Sequence, residues 1–194
     1  IESFKIYPDE KQCCCDISFK LKGSSQLTVK AFYEDTEVGS KTISEAAGNI
    51  NINIPLSEKH LWECMHGRLY RLEMTFGEDT VYSYFGLRNV RLEGFKFLLN
   101  SKSVFQRLVL DQGYYREGIY TAKNDDELKR DIELSLALGF NGARLHQKVF
   151  DPRFLYYCDL YGYIVWGEYA SWGLDYSDKG ALVEFLPQWL ESLE

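Results

Sequence analysis

Six residues in the second half of the sequence have the side chains a carbohydrate site needs: Asp111, Gln112, Arg144, His146, Trp166 and Glu168. They fall in three short groups. Asp111 and Gln112 follow the apolar run Leu108, Val109, Leu110. Arg144 and His146, with Gln147 beside them, close the stretch that starts at Asn141. Trp166 and Glu168 end the run Tyr163, Ile164, Val165, with Tyr169 and Trp172 just beyond. Carboxylates, an amide, a guanidinium and an imidazole hydrogen-bond to sugar hydroxyls, and a large ring offers an apolar face to a pyranose. Each residue also has a plainer reading. Arg144 and Glu168 suit a structural ion pair across neighbouring strands, and Glu168 serves equally as an acid, a base or an orienting group for the arginine. A lone histidine such as His146 is more often a hydrogen-bonded structural residue than a catalyst. Asp159, beside Tyr156, reads as a local cap or pair and stands outside the site.

The elements that must position these groups follow from periodicity. Leu108 to Leu110 reads as a buried parallel strand. Asn124 caps a helix with Glu127 three residues on, and Leu128, Ile132 and Leu136 share one face of it before Gly139 ends it. Asn141 to Leu145 predicts a second buried strand. Asp151 and Pro152 then open a helix through Phe154 to Leu160, which stops at Gly162. Tyr163 to Trp166 makes a third strand, and Ala181 to Leu193 a third helix, interrupted or begun anew at Pro187. Strand–helix alternation with short connections implies right-handed crossovers and a parallel sheet, either doubly wound or part of an eight-unit barrel. Periodicity does not choose between them. Asp111, Gln112, Gly113, Tyr114 lacks a phosphate-binding glycine fingerprint, which argues against a nucleotide site. In both folds reactive groups gather at the carboxyl ends of the strands, where all six residues fall.

The first half alternates with a period of two. Cys13, Cys15, Ile17, Phe19 and Leu21 share one face of a strand. Leu27, Val29, Ala31 and Tyr33 share another, and Ile50, Ile52 and Ile54 a third. Tyr70 to Phe76 and Thr80 to Tyr84 add two more across the turn Gly77, Glu78, Asp79, and a later hairpin turns at Asn100, Ser101, Lys102. Short strands joined by polar turns suggest an immunoglobulin-like sandwich acting as scaffold or spacer. His60 and His66 are isolated, and Trp62 reads as packing before sugar stacking.

Composition narrows the partners. A net charge of -7 and a pI near 5.1, without a basic run, give no footprint for nucleic acid or an anionic membrane surface. No apolar run approaches the roughly 18 to 20 residues of a membrane span, and Ile1 to Ile6 lacks a signal pattern. Of the 5 cysteines, the run Cys13, Cys14, Cys15 alternates faces and suits neither a local disulfide ladder nor a tetrahedral metal site. Buried reduced thiols are the expectation, and with them a reducing, cytoplasmic setting, the alternative being a periplasmic or secreted one from which a signal was removed.

Four motifs in order resemble glycoside hydrolase family 2, the family of β-galactosidases, β-glucuronidases and β-mannosidases. They are Tyr84, Phe85, Gly86, Leu87, Arg88; Leu99, Asn100, Ser101, Lys102; Gly139, Phe140, Asn141 into Arg144; and Cys158 through Gly162 into Ile164, Val165, Trp166, Gly167, Glu168. The resemblance implies an immunoglobulin-like sandwich over 1–86, followed over 87–194 by the first three strand–helix units of a TIM (β/α)8 barrel. It also implies a retaining double displacement by two glutamates roughly 5 to 5.5 Å apart. The first of that pair follows an asparagine in the family. No Asn-Glu pair occurs here, so both glutamates are expected beyond Glu194 and no residue of this chain is assigned to catalysis. Arg144 and His146 are then the candidates for hydroxyl contacts, with Asp111 and Glu168, and with Gln112 and Trp166, in support. The histidine lies two residues after the arginine, where many relatives place it at three. No cofactor is expected, and no metal, because Ala170 to Tyr176 supplies only Asp175 as an acidic ligand. The leading expectation is a β-galactosidase-like enzyme whose truncated barrel is inactive alone and self-associates through its exposed edge. A non-catalytic carbohydrate-binding or structural module is the alternative, and an oxidoreductase on a doubly wound sheet comes third.

Overall fold

Apolar residues at every second position, broken by Gly and polar turns, build the first half as one antiparallel sheet. The computed structural model describes residues 1–171, 173–175 and 177–193, with residues 192 and 193 described through their backbone alone. The strands are β1 (Ser3–Asp9), β2 (Cys14–Tyr33), β3 (Thr36–Pro55), β4 (Tyr70–Phe76) and β5 (Asp79–Phe85). The two strands expected at residues 13–21 and 27–33 are a single strand of 20 residues, β2, with Cys13 in the left-handed region just before it. β3 pairs with β2 along its length, while β1 pairs with the first half of β2 and β4 with the second. Register shifts between Leu21 and Ser24 and between Ser25 and Leu27 bend the β2–β3 ribbon where polar residues interrupt the alternation. The sheet thereby curls around one core. Cys15, Ile17, Phe19 and Leu21 from the first half of β2 join Leu27, Val29 and Ala31 from the second, together with Ile52, Ile54, Tyr70, Leu72 and Met74. Removing such side chains from water is worth about 1.5–3 kcal/mol each.

A second, three-stranded sheet follows, made of β6 (Val90–Glu93), β7 (Lys96–Leu99) and β8 (Lys102–Ser103). Its turn at Asn100 and Ser101 has positive φ at both residues, the mirror-image turn that matches strand twist. The chain divides into Ile1–Phe105 and Gln106–Glu194, so this hairpin lies in the first unit and not in a second domain starting at residue 87. The reason is a set of contacts back to the 56–69 loop. Asn100 Nδ2 donates to the Trp62 carbonyl at 2.9 Å, Lys102 Nζ reaches Glu63 Oε1 at 3.4 Å, and Leu98 and Leu99 are buried. Trp62 is buried with the Arg88 guanidinium 4.9 Å from its ring, which is the packing role read from the sequence.

In the second unit strand and helix alternate: β9 (Leu108–Asp111), α1 (Asp125–Ala137), β10 (Gly142–Leu145), α2 (Pro152–Tyr161), β11 (Ile164–Gly167) and α3 (Lys179–Leu193). The three strands are parallel and adjacent in chain order, with β10 central. Both anticipated caps are present. Asn124 Oδ1 accepts from the Glu127 amide at 3.1 Å, while Glu127 Oε2 accepts from the Lys123 amide at 2.7 Å. Asp151 accepts from the Arg153 amide at 2.9 Å, with Pro152 opening the helix and Gly162 ending it in the left-handed conformation. α3 carries Pro187 inside it and begins two residues before the expected Ala181. Leu128 and Ile132 of α1 and Phe154, Tyr157 and Cys158 of α2 pack with Val109, Ala143 and Val165, one from each strand. The next residue of each strand, Leu110, Arg144 and Trp166, points to the other face, and all three are exposed. Among the described residues no helix is long and apolar enough to cross a membrane.

Candidate functional site

The carboxyl ends of β9, β10 and β11 bring the six candidates together as two pairs and two flanking residues. Asp111, the last residue of β9, uses its carbonyl to accept from the His146 amide at 2.7 Å, and its Oδ1 accepts from the Gly113 amide at 2.7 Å. This turn fixes Gln112 between two anchored neighbours. Gln112 Nε2 then lies 3.1 Å from His146 Nδ1. With the Gln112 amide nitrogen as donor, Nδ1 is the acceptor and Nε2 is the ring nitrogen that carries the N–H toward a ligand oxygen.

The second pair is Arg144 with Glu168. Arg144 Nε donates to Glu168 Oε1, and the Gln147 amide donates to Glu168 Oε2 at 3.1 Å. Gln147 has φ +55, a left-handed turn that aims its amide at the carboxylate, and its Oε1 accepts from the Ser171 amide at 2.9 Å and Oγ at 3.0 Å. The Arg144 hydrogen bond, followed by that of the Gln147 amide, holds the Glu168 carboxyl below its ordinary range. Glu168 is therefore an anion that orients an arginine and is not a proton donor near neutrality. Trp166 is the register partner of Arg144 on the exposed sheet face. Trp172 lies outside the described residues.

The Gln112–His146 pair and Glu168 line different hollows. Gln112, His146 and Gln147 line a cleft of ≈ 160 Å³ with Tyr114, Tyr120 and Lys148. Glu168 faces another of ≈ 240 Å³ with Leu145, Tyr169 and Trp189. The Tyr114 and Tyr120 rings meet edge to face with centroids 5.6 Å apart, and both are exposed. A polar floor with aromatic walls hydrogen-bonds to hydroxyls and stacks on a ring, which is the chemistry of a sugar subsite. Asp175 accepts from the Ser177 amide at 2.9 Å and Oγ at 2.6 Å, a local turn. Among the described residues no group of three or more His, Cys, Asp or Glu side chains is placed to hold a metal ion.

Sequence reasoning missed Tyr114, Tyr120, Lys148 and Asp131. The tyrosines stand in a loop without periodicity, and Lys148 follows a strand end where a lysine reads as solvated. Asp131 is only partly exposed on α1, and burial, with the charges of Asp111 and Glu127, pushes its carboxyl up to about 6.

Residues 1–88 match the family model of glycosyl hydrolases family 2. Over those residues the chain is similar to the glycosyl hydrolases of family 2. The match covers the curled sheet and ends within the first unit. A curated relative described as a putative β-glucuronidase of Formosa agariphila is 25% identical over 180 residues, 84% of this chain and 21% of that protein. A Ruminococcus gnavus β-glucuronidase in complex with C6-substituted uronic isofagomine superposes with a TM-score of 0.80 at 16% identity, over 98% of this chain and 33% of its own. A Faecalibacterium prausnitzii β-glucuronidase gives 0.76 at 24% identity, over 87% and 28%. The chain is thus similar in fold to the two solved enzymes and spans a third or less of the length of each of these three relatives.

Proposed function

We propose that this chain belongs to a retaining β-glycosidase of β-glucuronidase type, hydrolysing terminal β-glycosidic bonds by double displacement through glutamates outside residues 1–194. What carries the reading is one covalent connection: a family 2 sheet leads into three parallel strand–helix units whose carboxyl ends hold Gln112 on His146 and Arg144 on Glu168. In this reading β9, β10 and β11 are the first strands of an eight-stranded barrel. Their sequential order suits it, and Leu110, Arg144 and Trp166 then face the barrel interior. His146 and Gln112 bind sugar hydroxyls, Tyr114 and Tyr120 wall the cleft, and Arg144, oriented by Glu168, contributes its Nη donors to an anionic substituent. The sequence alone led to a galactosidase-like expectation. The relatives above are β-glucuronidases, and another R. gnavus structure holds D-glucuronic acid, which moves the preferred substrate to a glucuronide. Parallel sheets are normally covered on both faces, so the chain by itself self-associates through the uncovered one.

The test uses the 194-residue chain. Nitrophenyl β-D-glucuronide and β-D-galactoside are offered as substrates, and D-glucuronic acid and D-galactose are titrated while the His146 ring and Trp166 indole are followed by NMR. No turnover is expected, with saturable shifts for glucuronic acid that Arg144→Ala removes. Turnover lost in Glu168→Gln would place the carboxylate pair inside this chain and overturn the mechanism. Shifts with galactose alone would overturn the specificity.

A further inference from the structure

Lys148 is buried, 8% exposed, three residues beyond the end of β10. Its Nζ donates to the Gly113 carbonyl at 2.6 Å and the Tyr120 carbonyl at 2.7 Å. Three rings surround it, with Nζ 4.1 Å from the centroid of Tyr120, 5.1 Å from Phe150 and 5.8 Å from Tyr115. Gly113 is the counterpart of this placement. It has φ +62, and a Cβ there would lie 2.8 Å from Lys148 Nζ and 2.9 Å from Phe150 Cζ.

The two carbonyls bracket one excursion of the chain. Between Gly113 and Tyr120 the loop is closed by paired Tyr115 and Ile119 amides and carbonyls, at 2.9 and 3.0 Å. Tyr115 anchors the middle of the loop in the core of the second unit, while an open hollow of ≈ 400 Å³ lined by Tyr115, Tyr120, Leu128, Lys148 and Phe154 leaves the packing around it incomplete. A charged donor on two carbonyls adds an attachment at each end of the loop, stronger than a neutral hydrogen bond and reinforced by the ring faces. Burial lowers the Lys148 ammonium from its ordinary value, while the charges of Asp111 and Asp151 oppose that change.

We propose that Lys148 is a positioning residue. It latches the 113–120 loop at both ends and so holds Gln112 on His146 Nδ1 and Tyr114 and Tyr120 at the mouth of the cleft. The latch acts through the backbone, since Gln112 immediately precedes the carbonyl that Lys148 grips. Two of its three N–H groups are committed to carbonyls, so it contributes placement and not proton transfer. The proposal rests on the glycosidase reading only in treating Gln112 and His146 as ligand contacts.

The experiment is amide hydrogen exchange and side-chain NMR on the chain and on Lys148→Met, which keeps the apolar stem. With the latch gone, the Tyr115 and Ile119 amides should exchange about tenfold faster, as expected for losing a charge-assisted hydrogen bond. The Gln112 side-chain amide should lose its hydrogen-bonded signature, while the Ile132 amide of α1 keeps its rate. Gly113→Ala retains the charge but collides with Nζ, and should give the same pattern; it decides the matter if Lys148→Met does not fold. Unchanged loop amides with an intact Gln112 signal would overturn the proposal. So would an equal rise at Ile132, which marks a general loss of stability. No sugar enters these readouts, so a failure of the glucuronidase reading leaves them standing.

Discussion

Replacing Asp131 with asparagine should stabilise the second unit at neutral pH and leave it unchanged in acid. The carboxyl is only partly exposed on α1, and its pKa rises from 3.8 to about 6, chiefly by burial and then by the charges of Asp111 and Glu127, with Arg130 opposing. A carboxyl raised on folding makes the native state bind the extra proton. Its favourable contribution is full below about pH 4 and is lost as pH rises through about 6. A shift of roughly two units at 1.36 kcal/mol each sets an upper limit near 3 kcal/mol at neutrality. Partial solvent contact and the polar amide that replaces the acid reduce the expected gain to about 1–2 kcal/mol. Urea unfolding followed by far-ultraviolet circular dichroism reports it, because the helices lie in the second unit. The midpoint should rise in the variant at about pH 8 and coincide with the parent at about pH 4. A variant equally destabilised at both values, or equally stabilised at both, would refute the assignment of the cost to the buried charge.

Other changes probe the frame around the site. Asn124→Ala removes the acceptor for the Glu127 amide and should cost about 1 kcal/mol, seen as a lower urea midpoint for the helical signal. Gly142→Ala should be more damaging. Its Cβ would lie 2.2 Å from the Ile164 carbonyl oxygen and 2.6 Å from Leu108 Cδ2, so β10 cannot keep both neighbours. A loss at or above the 1–3 kcal/mol typical of overpacking is expected, with proteolysis appearing first in residues 106–193. Ser135→Ala strands the Tyr163 hydroxyl that Ser135 meets at 2.6 Å inside the unit, a cost of about 1–3 kcal/mol by thermal or urea unfolding.

The sequence by itself determined the local elements, because their causes are local. Alternation from Cys15 to Leu21 and from Tyr70 to Phe76 needs only the pleat, and the Asn124 to Glu127 cap needs only four consecutive residues. The same logic placed Asp111, Arg144, His146 and Glu168 at strand ends, since each follows a short buried run. What joins those ends is not local. The two expected strands of the first half became the single strand β2 because β3 pairs across the polar interruption. The hairpin went to the first unit through Asn100 and Trp62, which are far apart in sequence. The tertiary structure alone decided that four of the six candidates form the pairs Gln112–His146 and Arg144–Glu168, with Gln112 and His146 lining one hollow and Glu168 another. It alone buried Lys148 beneath a loop 35 residues upstream. Hydrogen bonds and burial at that separation depend on parallel strand register and on which residues the crossover helices cover. Neither is encoded in the period of any one segment.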